Sequence, residues 1–136
     1  MNLTNKKIHN LLITVRKLRG KDGCPWDKRQ TAESLRTYLT EEVNELINAI
    51  ENNDSANICE ECGDVLYLII MISEINRENK KFRFSDVIQR IDEKLIRRHP
   101  HVFAGTPYES EDELNRQWQE IKAEEKKKNL FDTRNT

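Results

Sequence analysis

Glu61-Cys62-Gly63-Asp64-Val65-Leu66-Tyr67-Leu68-Ile69-Ile70-Met71-Ile72 decides how this chain is read, because two acids three residues apart lead directly into a long apolar run. The run Val65 to Ile72 is apolar on all sides and too short to cross a bilayer, so it fits a helix buried on most sides. Upstream, Asn52-Asn53-Asp54-Ser55 is a turn cluster in which Asp54 or Ser55 can cap that helix, which is expected to reach about Arg77. Residues three apart share one side of a helix, so Glu61 and Asp64 lie together, on the side of Leu68. Gly63 between them costs roughly 1 kcal/mol relative to Ala in a helix interior, and the usual reason is close approach of a backbone or ligand.

One segment earlier, Leu35, Leu39, Val43, Leu46, Ile47 and Ile50 recur at spacings of three and four, which predicts an amphipathic helix to about Glu51. Thr31 is the expected N-cap, after a turn at Cys24-Pro25-Trp26-Asp27, and Glu33 suits the positive end of the helix dipole. Glu42 and Glu45 fall about 60° apart on one flank of the stripe, with Tyr38 and Ala49 between them. Glu41, Asn44 and Asn48 face away. Two such helices packed together would gather Glu42, Glu45, Glu61 and Asp64. Four converging acids either take up protons or hold a hard divalent cation, and oxygen-only ligands favour magnesium, manganese or calcium. The plainer alternative is four solvated or Lys- and Arg-paired side chains in a chain that is 35% charged.

The remaining segments also read as helices. Thr4 to about Arg19 carries Ile8, Leu11, Leu12, Val15 and Leu18 on one face and ends at Lys21-Asp22-Gly23. A helix begun near Ser85 has the stripe Val87, Ile88, Ile91, Leu95 and stops at Pro100. Lys94 and Arg98 lie at i,i+4 spacing on its flank, suited to phosphate or simply to the helix dipole, and Arg97 could take the place of Arg98. Ser110-x-x-Glu113 is a capping box that starts a last helix to about Lys127. The expected fold is therefore an all-α bundle of about four to five helices.

The acidic blocks resemble a known family. Glu41-Glu42-Val43-Asn44-Glu45 followed by Glu61-Cys62-Gly63-Asp64 is similar to the paired EExxE and ExxD motifs of the MazG-type nucleoside triphosphate pyrophosphohydrolases, of the all-α NTP pyrophosphatase superfamily. Gly23-Cys24-Pro25-Trp26-Asp27 with Gln30-Thr31 before these motifs, and Lys94 through Phe103 after them, extend the resemblance over about residues 11 to 120. It implies Mg²⁺-dependent hydrolysis of nucleoside triphosphates to the monophosphate and pyrophosphate, with Mn²⁺ a substitute ion and nucleotide-pool house-cleaning as the task. It further implies that Glu42, Glu45, Glu61 and Asp64 are the catalytic and metal-holding residues. Lys94, Arg97 and Arg98 would contact the substrate, while Trp26 or Trp118 could stack on its base or serve as a lid or interface contact. Glu41 matches the first acid of the motif but faces away, which places it in a supporting shell. The Cys-Pro-Trp-Asp and Arg-Arg-His-Pro-His-Val-Phe blocks resemble the first copy in members with two tandem copies, so the alternative is a catalytically weak or inactive helical dimerisation or regulatory module.

Composition bounds the rest. At 136 residues, 36% hydrophobic with a mean hydropathy of −0.84, the chain has little apolar surface for an independent globule, and a homodimer is expected. One domain is expected over residues 1–128, with a disordered tail over 129–136. A net charge of −1 argues against electrostatic nucleic-acid binding. With no signal peptide at Met1 to Asn10 and no membrane-length apolar segment, a cytoplasmic protein with reduced cysteines is expected. Cys59-x-x-Cys62 with His99 and His101 would be the ligands of a structural zinc, but the two cysteines fall on the side opposite Glu61 and Asp64.

Overall fold

A computed structural model describes residues 1–128 and, among them, seven helices and no strand. The expected tail from Asn129 lies outside the described residues. The helices are α1 (Leu3–Leu18), α2 (Pro25–Arg29), α3 (Leu35–Glu51), α4 (Ser55–Glu78), α5 (Phe84–Arg98), α6 (Pro100–Phe103) and α7 (Glu111–Lys127). The five long ones are those that periodicity predicts, whereas α2 and α6 stand where a turn and an irregular stretch were expected. Both short helices begin with proline, whose fixed φ and missing N–H suit a first helical position.

Chain contacts divide the protein into a unit over Met1–Phe84 and a second beginning at Ser85. In the first unit, Val15 of α1, Leu35 of α3 and Leu68, Ile70, Met71 and Ile75 of α4 form the buried core. Leu11, Leu12, Trp26, Leu39, Tyr67, Ile72 and Phe84 pack against it. Burial of α4 is less complete than its sequence suggests, since Leu66 and Ile69 remain 39% and 38% exposed.

Thr31 does not cap α3. Its N–H and side chain exchange hydrogen bonds with Ser34, with Thr31 N–H donating to Ser34 Oγ (2.9 Å) and Ser34 N–H to Thr31 Oγ1 (3.1 Å). This local turn competes with the helix and delays its start to Leu35. Asp54 does cap α4, accepting from Asn57 N–H at 3.2 Å. The turn at residues 52–54 has Asn53 at φ 52°, a conformation asparagine tolerates, and folds α4 back on α3.

Two buried charges stitch the first unit. Glu74, 2% exposed, receives Arg16 (2.9 Å) and Arg77 (2.8 Å). Burial pushes the Glu74 carboxyl up, but hydrogen bonds from Arg16 and Arg77 outweigh it and hold it below the usual range. Arg19 pairs with Glu78 at 2.7 Å and donates to the carbonyls of Asp27 (2.6 Å) and Gln30 (3.1 Å), anchoring α2. Gly23 lies between α1 and α2 where a Cβ would come within 2.1 Å of the Leu18 carbonyl oxygen, so no larger residue fits that approach.

In the second unit, Ser110 caps α7 by accepting from Glu113 N–H, while the Glu113 carboxylate reaches past Ser110 to the N–H of Glu109 (2.8 Å). The expected box is thus shifted by one residue on its return arm. The α5 stripe has Ile88, Ile91 and Leu95 at 46–47% exposure.

Candidate metal centre

The centre is built by α3 and α4, an antiparallel pair joined by the short turn at residues 52–54. In that hairpin Glu42 is level with Asp64 and Glu45 with Glu61. One ligand oxygen from each of Glu42, Glu45, Glu61 and Asp64 can be chosen so that all lie within 4.8 Å of one another. Glu42 Oε2 and Glu61 Oε2 are buried without a hydrogen-bond partner among the described residues. Buried carboxylate oxygens without a donor are costly. Glu42 and Glu61 are half-buried, whereas Glu45 and Asp64 are exposed.

Electrostatics agree with the geometry. Removal from water, then the charge and hydrogen bonding of Glu45, then the charges of Asp64 and Glu42 push the Glu61 carboxyl up to about 7. Glu42 is raised for the same reasons, led by removal from water and followed by Glu45, Asp64 and Glu41. The donor set consists of four hard oxygens within 4.8 Å of one another, a chemistry that fits a divalent cation of the magnesium, manganese or calcium type.

The remaining predicted residues lie on α2, α3 and α5. Glu41 is exposed on α3 and acts on the cluster through its charge on Glu42. Trp26 packs on the core with its ring edge-on to Tyr38, centroids 5.2 Å apart. Lys94, Arg97 and Arg98 belong to the second unit, on α5. There Arg98 Nε donates to Glu125 Oε1 (3.0 Å) and Arg97 Nη2 to Glu125 Oε2 (3.2 Å). Glu125 is 1% exposed, and although burial pushes its carboxyl up, Arg98 and Arg97 hold it below the usual range. Glu125 went unnoticed in the sequence because nothing local marks its pairing, 27 residues from Arg98. Trp118 lies beside the same group, with the Arg98 guanidinium 5.8 Å and the Lys122 ammonium 4.4 Å from its ring centroid. Cys59 and Cys62 are exposed free thiols, and among the described residues the metal-capable group that comes together is the four acids.

Fold and site together define an all-helical protein with a carboxylate centre on a central helical hairpin. The chain belongs to the MazG family, the MazG nucleotide pyrophosphohydrolase domain matching residues 30–103. It is 48% identical over 118 residues to the nucleoside triphosphate pyrophosphohydrolase/pyrophosphatase MazG of Thermotoga maritima, covering 87% of this chain and 45% of that protein. It is 44% identical over 112 residues to the protein YabN of Bacillus subtilis, covering 82% and 23%. It is 38% identical over 121 residues to the nucleoside triphosphate pyrophosphohydrolase of Escherichia coli K12, covering 88% and 46%. The chain thus spans less than half the length of these curated relatives. A crystal structure of a mazG-related protein from Thermotoga maritima superposes with a TM-score of 0.69 at 30% identity, covering 85% of this chain and 98% of that one.

Proposed function

We propose that this chain is a Mg²⁺-dependent nucleoside triphosphate pyrophosphohydrolase, releasing the monophosphate and pyrophosphate, and that it works in the cytoplasm to clear unwanted nucleotides. The observation that carries the reading is the convergence of one oxygen each from Glu42, Glu45, Glu61 and Asp64 within 4.8 Å of one another, with Glu42 Oε2 and Glu61 Oε2 lacking a hydrogen-bond partner among the described residues. A magnesium ion bound there would supply counter-charge for the phosphates and lower the pKa of an attacking water. The four carboxylates would hold the ion, and one of them would also take the proton of that water. Lys94, Arg97 and Arg98 supply cationic contacts to the phosphates, the guanidinium groups being suited to bidentate contact.

A homodimer is part of the proposal. Val43, Ile47 and Ile50 on α3 and Leu66 and Ile69 on α4 are 37–56% exposed, an apolar surface that a second copy would cover. No helix among the described residues is long and apolar enough to cross a membrane.

Incubating the protein with a panel of NTPs and dNTPs plus Mg²⁺, and resolving pyrophosphate from orthophosphate, tests the reading. Pyrophosphate release that disappears in Glu42→Gln and in Asp64→Asn is the expected result. Unchanged release in both variants rejects the site, and no release from the unmodified chain leaves the regulatory-module alternative standing.

A further inference from the structure

We infer that α2 is a clamp that sets the spacing and register of α3 and α4 at the acid cluster, with Asp27, Tyr67, Trp26 and Tyr38 as its positioning residues. The inference rests on the proposed metal-binding role of the four acids. Tyr67 lies three residues beyond Asp64 on α4 and Tyr38 four residues before Glu42 on α3, so each is one turn from a ligand on the same side of its helix. In the antiparallel hairpin these two tyrosines form the next level after Glu42 and Asp64. Adjacent residues of α2 hold both: the Tyr67 hydroxyl donates to Asp27 Oδ1, and the Trp26 ring meets the Tyr38 ring edge-on.

The clamp is itself fixed. Asp27 is 5% exposed, Arg19 from the end of α1 donates to the carbonyls of Asp27 and Gln30, and Cys24 N–H donates to the Leu18 carbonyl at 2.8 Å. Gln30 donates to the Trp26 carbonyl (3.0 Å) and accepts from Ser34 Oγ (2.6 Å), joining α2 to the residue before α3. A five-residue helix thus touches α1, α3 and α4, and it meets α3 and α4 one turn from Glu42 and Asp64.

Such a clamp matters most for a small ion. Magnesium requires near-octahedral oxygens at a short, fixed distance, whereas calcium accepts more ligands over a wider range. Loosening the helix spacing should therefore weaken magnesium more than calcium. A residue that only stabilised the fold would weaken both alike.

The test is calorimetric titration of the full chain with MgCl₂ and with CaCl₂. Tyr67→Phe, which removes only the hydroxyl, is expected to weaken Mg²⁺ binding about tenfold, the lower end for residues behind metal ligands, and Ca²⁺ binding about twofold or less. Asp27→Asn keeps an acceptor oxygen for Tyr67 and should remain within about twofold of the unmodified chain for both ions. Tyr38→Leu alters a side chain already 39% exposed, leaves no buried polar group behind, and should shift the Mg²⁺ to Ca²⁺ ratio in the same direction. An unchanged ratio in Tyr67→Phe and Tyr38→Leu, while Glu42→Gln and Asp64→Asn lose binding, overturns the clamp alone. Binding that survives in Glu42→Gln and Asp64→Asn overturns the metal site and the clamp together.

Discussion

Raising the pH from about 6 to about 8 should tighten Mg²⁺ binding about tenfold, because the metal must displace a proton from a group that ionises near 7. Glu61 is that group. With its carboxyl at about 7, it is ionised to roughly one part in eleven at pH 6 and ten parts in eleven at pH 8, and apparent affinity follows that fraction. Glu42, also raised, adds to the trend in the same direction. Near pH 7 each bound ion should release about half a proton from Glu61. Calorimetric titration in two buffers of different ionisation enthalpy measures both quantities. The same shift has a consequence for the metal-free protein. The folded state holds this proton more tightly than the unfolded chain, so stability present below about pH 4.5 declines as the pH rises toward 7. Affinity that stays flat between the two pH values, with no proton released, would refute the account of a crowded carboxylate centre.

Glu42→Gln removes one of the repelling charges, so in EDTA at neutral pH its melting temperature should exceed that of the unmodified chain, while added Mg²⁺ should no longer raise it. Gly63→Ala should stabilise by roughly 0.5–1 kcal/mol in urea unfolding, because a Cβ there meets nothing within 4 Å inside the chain. Loss of dimerisation or of metal binding in that variant would place the close approach expected at Gly63 outside the single chain. Glu74→Leu should cost about 2 kcal/mol in urea unfolding, since it strips Arg16 and Arg77 of a 2% exposed partner while leaving both able to reach water. A change within experimental error would show that Arg16 and Arg77 contribute nothing net there.

What could be read in advance was local. The α3 and α4 hairpin follows from the spacing of Leu35, Leu39, Leu46 and the run after Asp64, and i,i+3 spacing alone brings each acidic pair to one side. Short or long-range features left no such trace. Five residues at Pro25–Arg29 contain too few turns to display a period, so α2 resembled a turn. Thr31 had the right chemistry for a cap, and only its reciprocal bonding with Ser34 moved the start of α3. Nothing in the sequence marks Glu74 or Glu125 as buried, because Arg16 and Arg98, which pair with them, lie 58 and 27 residues away.

The tight link between α3 and α4 also bears on how the protein comes into being. Its four acids lie between positions 42 and 64, so the contacts that unite them are local, the kind that form fastest in a folding chain. During synthesis at roughly 5–20 residues per second, Lys94 and Arg98 follow Asp64 by about 2–7 s. The hairpin can therefore close without waiting for any contact far along the chain, and the four acids meet as early as it does.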